Sequence, residues 1–311
     1  MKRREFISLA GGAAAWPLSA RAEQGDRLRR LSVLTSLAEN DPEAQARVAA
    51  LTQSLRGLGW TEGRNLRIEY RWIVGGGIDR IRAAVAEVVA SNPDVVLTNS
   101  TPIVQELQRQ TRSIPIVFAT IIDPVEAGMV ASLARPGGNA TGFMNHEPAL
   151  SGKWLELLKE VAPGVNRVLV LVNSGSDANL IDLRTIEGAA ASFGVQVSSG
   201  TVRDASEIES AIEDIGRTPN AGLIITAGIP ITDRRKLIFA LASRYRLPAV
   251  YTFRFFAVDG GLLSYGPVDL DMVRGSATYV DRILKGEKPG DLPVQTPVKY
   301  ELGSKLINFA A

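Results

Sequence analysis

Cysteine is absent from the 311 residues and histidine occurs once. Without thiols there are no disulfides, no thiolate nucleophile and no cysteine-ligated metal; such a chain is compatible with an oxidising compartment. The one imidazole, His146, lies beside Glu147-Pro148 after a glycine-rich stretch, where it reads as a surface or hinge residue and not a base. No Gly-x-Ser-x-Gly elbow, His-Glu-x-x-His pair or Gly-x-x-x-x-Gly-Lys loop occurs. Asp269-Leu270-Asp271 lacks the remainder of a calcium loop, and Gly75-Gly76-Gly77 lacks dinucleotide spacing. The expectation is a protein that is no enzyme and needs neither metal nor cofactor. A strong charge of one sign is missing too: the formal net charge is +2. Setting aside the four basic residues and one acidic residue of the first 22 leaves 31 basic against 32 acidic side chains, so a nucleic-acid partner is not expected. Nor does any run after the first 22 residues approach the ~20 apolar residues that span a bilayer.

What is present begins at the N-terminus. Lys2-Arg3-Arg4-Glu5-Phe6-Ile7 is followed by a weakly apolar run from Leu9 to Leu18 and by Ala20-Arg21-Ala22. A positive segment, a short apolar core and a small-x-small site make residues 1–22 an export leader, and the paired arginines before x-Phe-Ile resemble a twin-arginine signal. Periplasmic localisation of a mature chain starting near Glu23 is expected, with no cysteine to carry a lipid.

Beyond the leader, short apolar runs alternate with helical periods. Leu31–Thr35 reads as a strand, and Asp41-Pro42 opens a helix as N-cap and first-turn proline. Val48, Leu51, Leu55 and Leu58 then follow at helical spacing. Strands are predicted at Leu66–Trp72, Asp94–Thr98 and Ile114–Ala119, with helices from Ile78 and Pro102. After the glycine-rich break Arg135–Gly142 the programme restarts. Strands Arg167–Val172, Val195–Val202, Ala221–Thr226 and Pro248–Tyr251 alternate with helices from Asp177, Asp204 and Thr232. Runs such as Val95-Val96-Leu97 suit a parallel sheet covered on both faces. The halves echo each other, Val95–Pro102 leading to Ile114–Phe118 as Leu223–Pro230 leads to Leu247–Tyr251. The predicted fold class is therefore α/β, with two doubly wound parallel-sheet lobes and a ligand cleft between them. A further strand near Leu262–Tyr265, a helix through Met272–Leu284 and an extended Val298–Leu302 complete the chain.

In such sheets ligands bind beyond the carboxyl ends of the strands. That rule selects Ser36 after the first strand, Ser100 and Thr101 after the third, and Thr120 and Asp123 after the fourth. Across the cleft it selects Asn173, Asn179 and Thr226, with Tyr251 able to stack on a ring. Ser100 and Thr101 serve either as helix caps or as donors to a ligand carboxylate. Asp123 either holds an ammonium or makes the turn before Pro124. Tyr251, like Tyr265, is a ring platform or a packing residue.

The stretch Asp123-Pro124-Val125-Glu126-Ala127-Gly128 through Arg135-Pro136-Gly137-Gly138-Asn139-Ala140-Thr141-Gly142 resembles the signature of the TrpX-like ABC transporter substrate-binding family. Leu247–Tyr251, Gly260–Gly266 and Lys285-Gly286-Glu287-Lys288-Pro289 are similar to its later blocks, so that the likeness runs from about Leu31 to Pro297. The resemblance implies a type I periplasmic-binding-protein fold with three chain crossings between lobes. It also implies aromatic or other amino acids, or a related carboxylate, as the ligand, delivered to an ABC permease in the cytoplasmic membrane; a monomer is expected. On this basis lobe 1 is expected to comprise 28–141 plus 252–285 and lobe 2 to comprise 142–251 plus 286–311. Gly137-Gly138 and Gly260-Gly261 would fall near two crossings, as hinges or as plain turns. Two rival functions use the same clamp. A transcription regulator's effector domain would need a DNA-binding module where the leader stands, and a periplasmic sensor would present its closed form to a membrane receptor.

Overall fold

Strands buried on both faces need helices on both sides, and the chain meets that demand twice. The computed structural model describes residues 27–74, 77–145, 150–173, 177–226 and 228–304; the leader, Gly75-Gly76, His146, Ser174 and Ala227 lie outside the described residues. The first sheet contains β1 (Arg29–Thr35), β2 (Leu66–Trp72), β3 (Val95–Thr98), β4 (Ile116–Ile121) and β5 (Ala140–Met144), in the order β2-β1-β3-β4-β5 and parallel throughout. Its connections are α1 (Pro42–Gly57), α2 (Ile78–Ser91) and α3 (Thr101–Gln110). The second sheet contains β6 (Arg167–Asn173), β7 (Gln196–Val202), β8 (Ala221–Ile225), β9 (Ala249–Tyr251), β10 (Leu263–Pro267) and β11 (Tyr300–Ser304). Their order is β11-β10-β9-β8-β6-β7, and only β11 runs antiparallel to its neighbour. Around it lie α4 (Ser151–Val161), α5 (Asp177–Ala190), α6 (Ala205–Gly216), α7 (Ile229–Asp233), α8 (Arg235–Arg244) and α9 (Arg254–Val258).

In each sheet the first strand lies between the second and the third, the arrangement that creates a switch point at the carboxyl edge. Each sheet carries an apolar core on both faces: Val96, Ile103 and Phe118 against Val95, Leu97 and Val280 in the first, and Leu223, Ile225 and Ile238 against Val170, Ile224 and Trp154 in the second. Local chemistry sets the helix starts. Asp41 accepts from the Glu43 amide at 2.9 Å ahead of Pro42. Asp204 accepts from the Glu207 amide at 3.0 Å while the Glu207 carboxylate accepts from the Arg203 amide at 2.7 Å.

The lobes are bounded differently from the expectation. Strand β5 arises inside the glycine-rich stretch read as a break, because Gly142 lets β5 lie against β4 where a Cβ would come within 1.9 Å of the Phe118 carbonyl oxygen. Strand β10 pairs with β9 in the second sheet, so residues 252–267 belong there and not to lobe 1. The chain returns to the first sheet at Val268, and α10 (Asp269–Leu284) packs its Val273, Ala277 and Val280 under β3, β4 and β5. The segment after α10 stays on that lobe as far as Gln295, which pairs with Phe143, before β11 closes the second sheet. Neither glycine pair sits at a crossing. The Gly137 amide donates to the Gly290 carbonyl at 3.1 Å within the first lobe, and Gly261 lies against the Tyr251 ring within the second.

Candidate ligand-binding cleft

Both switch points open on the same space. Ser36 and Leu37 follow β1, with the Leu37 amide turned back onto the Thr35 hydroxyl at 3.3 Å. Asn99, Ser100 and Thr101 follow β3, and Asn173 ends β6. These residues line a cavity of about 100 Å³ between the lobes together with Thr120 and Asn145 on one side and Asn179, Gly228, Thr232, Phe253 and Phe255 on the other.

Several features mark this wall as built for polar contact. Ser100 occupies the N-cap position of α3, yet its hydroxyl makes no capping bond, so its role is not the plain cap the sequence allowed. Pro102 has no N–H, and the first-turn amides of Thr101 and Ile103 have no partner within the helix. Thr120, β-branched, is held at φ +61°, where the register between β4 and β5 slips after Phe118. That backbone region is sparsely populated by such residues and persists only when the surroundings impose it. Asn145 is 3% exposed, and its Oδ1, like the buried Oδ1 of Asn99, has no hydrogen-bond partner. A buried amide oxygen left unpaired carries the full cost of its desolvation. Opposite, the Asn179 Oδ1 accepts from the Asn173 amide at 3.1 Å, and Gly228, at φ +152°, leaves room beside Asn173 that a Cβ would crowd at 3.0 Å.

Among the described residues one cation reaches the cavity, and it is already engaged. Arg47 Nε lies 3.0 Å from Glu43 Oε1 and 2.8 Å from Asp269 Oδ2. Burial, reinforced by Asp269, pushes the Glu43 carboxyl above its ordinary value in spite of Arg47. At the cleft's rim Arg235 pairs with Asp41 of the first lobe at 2.9 Å and with Asp259 of its own lobe at 2.6 Å. Arg184 meets Glu126 across the cleft at 2.7 Å.

Of the nine residues selected from sequence, Ser36, Ser100, Thr101, Thr120, Asn173 and Asn179 line the cavity. The other three do not. Asp123, at φ +35°, uses its Oδ1 to accept from the Glu126 amide at 3.0 Å, which makes it the turn residue before Pro124. Thr226 is fully buried and donates to the Leu171 carbonyl at 2.8 Å. Tyr251 is 1% exposed in the core of the second lobe, stacked on Phe256 at 5.5 Å and edge-on to Phe239 at 5.4 Å. Burial drives its phenol far above the usual range. Tyr265 stacks instead on Tyr300, at 6.1 Å. Sequence reasoning missed Arg47, which sits on the face of α1 turned toward the strand ends, and Asn145, placed by the unrecognised β5. It also missed Phe253 and Phe255, on a segment first assigned to the other lobe.

Comparison with known proteins decides the family. Residues 35–310 match that of the ABC transporter substrate binding proteins. The chain belongs to this family. Its members bind a substrate without transforming it, so the lack of catalytic motifs is in keeping with membership. A tyrosine-binding protein of Clostridioides difficile (strain R20291) is 25% identical over 257 residues, which are 80% of this chain and 71% of the relative. A conserved domain protein of Vibrio cholerae O1 biovar El Tor has a solved structure with a TM-score of 0.81 at 27% identity, over 89% of this chain and 91% of that one. An ABC domain from Streptococcus pneumonia, solved in complex with L-Trp, shares the fold with a TM-score of 0.81 at 23% identity over 89% and 91% of the two chains. Among the described residues no helix is long and apolar enough to cross a membrane.

Proposed function

We propose that this substrate-binding protein captures an amino acid or closely related small carboxylate in the periplasm by closing its lobes, and hands it to an ABC permease as a monomer. One observation carries the reading: polar residues from both switch points converge on a single cavity, with unpaired donors at the start of α3 and unpaired amide oxygens of Asn99 and Asn145 close by. The α3 end suits a carboxylate, because first-turn amides and the Ser100 and Thr101 hydroxyls present donors at the positive end of the helix. The carbonyl oxygens of the asparagines suit an ammonium or another donor on the same ligand. Relatives that bind tyrosine and L-Trp support an amino acid as the class of solute.

Native mass spectrometry of protein purified from its host reveals a retained solute directly, and calorimetry then measures its affinity. Ser100→Ala combined with Thr101→Ala is expected to weaken binding by roughly 2–4 kcal/mol, since charge-assisted hydrogen bonds contribute about 1.5–3 kcal/mol each and do not add fully. Unchanged affinity alongside a lower melting temperature would reduce both residues to structural roles and remove the carboxylate site.

Delivery to the periplasm rests on the N-terminal leader. Its arginine pair is read by a receptor, so Arg3→Lys with Arg4→Lys is expected to leave the precursor in the cytoplasm, as cell fractionation and immunoblotting report. Normal periplasmic accumulation of that double variant rejects the twin-arginine route.

A further inference from the structure

A second cavity, of about 60 Å³, lies inside the first lobe between α1, α10 and the carboxyl ends of β1, β2 and β3. It shares Arg47, Asn99 and Thr120 with the cleft cavity, so the two adjoin. Its surface is almost wholly apolar, whereas about half of its neighbour's is polar. Ala44, Leu51, Leu97 and Val273 line it together with Tyr70 and Trp72, whose rings stack at 5.6 Å with 9° between planes.

Protein interiors are packed to the density of organic crystals, and an unfilled apolar space forfeits contacts on every wall. An apolar chamber that adjoins a polar cleft and shares lining residues with it is therefore matched to a ligand in the cleft that carries an apolar end. We propose that it is the subsite for the side chain of the bound solute, and that it selects a compact branched aliphatic side chain over an aromatic one. The inference rests on the amino-acid reading above and specifies it.

Size decides between the two classes of side chain. An apolar cavity of about 150 Å³ is what accommodates a benzene ring. At about 60 Å³ the chamber offers less than half that space, room for a small saturated group and not for a phenol or indole. Arg47, which lines both cavities, does not oppose such a group, because its guanidinium is held by Glu43 and Asp269. The head and tail of the ligand are thus read by different elements: the carboxylate by the start of α3, the side chain by α1, α10 and the ring pair on β2.

The test is calorimetry on the full chain with L-leucine, L-alanine and L-tyrosine. Leucine is expected to bind about tenfold or more tightly than either of the others, because each methylene placed in a fitted apolar pocket changes affinity by that order. Two variants fill the chamber. Ala44→Leu adds bulk at a buried wall, and Val48→Phe adds it at a half-buried one where folding is less at risk. Either is expected to erase the advantage of leucine while changing alanine affinity by less than about twofold, whereas the Ser100 and Thr101 double variant weakens all three alike. Tyrosine binding more tightly than leucine to the unaltered protein overturns the inference. So does a loss in the filled variants that is equal for leucine and alanine, or no loss at all, with the amino-acid reading left standing. If none of the three binds, the amino-acid reading falls and the subsite with it.

Discussion

Tyr251 and Ser100 show how much of a residue's role is decided by where its strand sits. Both stand at strand ends, and both carry a hydroxyl. Ser100 leaves β3 at the switch point of the first sheet, so its side chain faces the cleft with no intramolecular task. Tyr251 closes β9, away from the switch point of the second sheet, and its ring is taken up by Phe239 and Phe256. Tyr251→Ala is accordingly expected to cost about 3–5 kcal/mol of stability in denaturant unfolding, the range for removing a buried aromatic ring. Affinity for the solute, measured well below the melting temperature, should stay unchanged. A selective loss of affinity without loss of stability would return Tyr251 to the binding site. The same reasoning explains Asp123: Pro124 after it and Glu126 beyond it make a turn that consumes its carboxylate, and residue type alone does not reveal that consumption.

At the scale of elements, what periodicity and capping could show was shown. The core strands of both sheets were legible as uniform apolar runs, and the starts of α1 and α6 as Asp41-Pro42 and Asp204 with Glu207, because each signal is local. The repeat of β-α steps in both halves disclosed the doubly wound topology, and through it six cavity residues, since the switch-point rule needs only strand order. Two elements escaped for a physical reason. Strand β5 reads Ala140-Thr141-Gly142-Phe143-Met144, a composition poor in β-branched residues, and it is a strand because Gly142 permits a close approach to Phe118 far away in sequence. Strand β10 belongs to the second sheet through its pairing with β9 and β11, which is non-local and which a boundary at 252 taken from the repeat does not reveal. Phe253, Phe255 and Asn145 were lost with these two assignments, as all three are positioned by tertiary register.

For the whole molecule, the question is what holds the lobes together around the cleft. Among the described residues the chain passes between them after Asn145, at Val268 and between Gln295 and Tyr300. The last two run side by side, with the Val268 amide donating to the Lys299 carbonyl at 3.2 Å. A few extended crossings of this kind allow rigid-body rotation, with the dihedral change absorbed locally. Against that freedom stand the ion pairs across the rim. Arg184 and Glu126 are both about half exposed, at 59% and 54% of their side chains, and water screens them to little net effect. Arg235 and Asp41 are the stronger tie, at 9% and 12% exposure, and Asp259 completes the charge balance on the second lobe. Asp41 does two jobs: it caps α1 through the Glu43 amide and it receives Arg235 from the opposite lobe. Asp41→Asn separates them, since asparagine caps as well as aspartate but carries no charge. Arg235 keeps Asp259, so no buried cation is left unpaired and the fold should be undisturbed. The closed form alone loses energy, on the order of 1 kcal/mol. A ligand that binds across the lobes must then supply that difference, and affinity is expected to drop by about fivefold, while the melting temperature without ligand moves little. Solution scattering should show a smaller radius of gyration with ligand than without it for the natural chain, and a larger ligand-free radius for Asp41→Asn. Equal radii in all states, or an affinity untouched by the substitution, would mean that the lobes do not move and that the rim pair is ornament on a rigid frame.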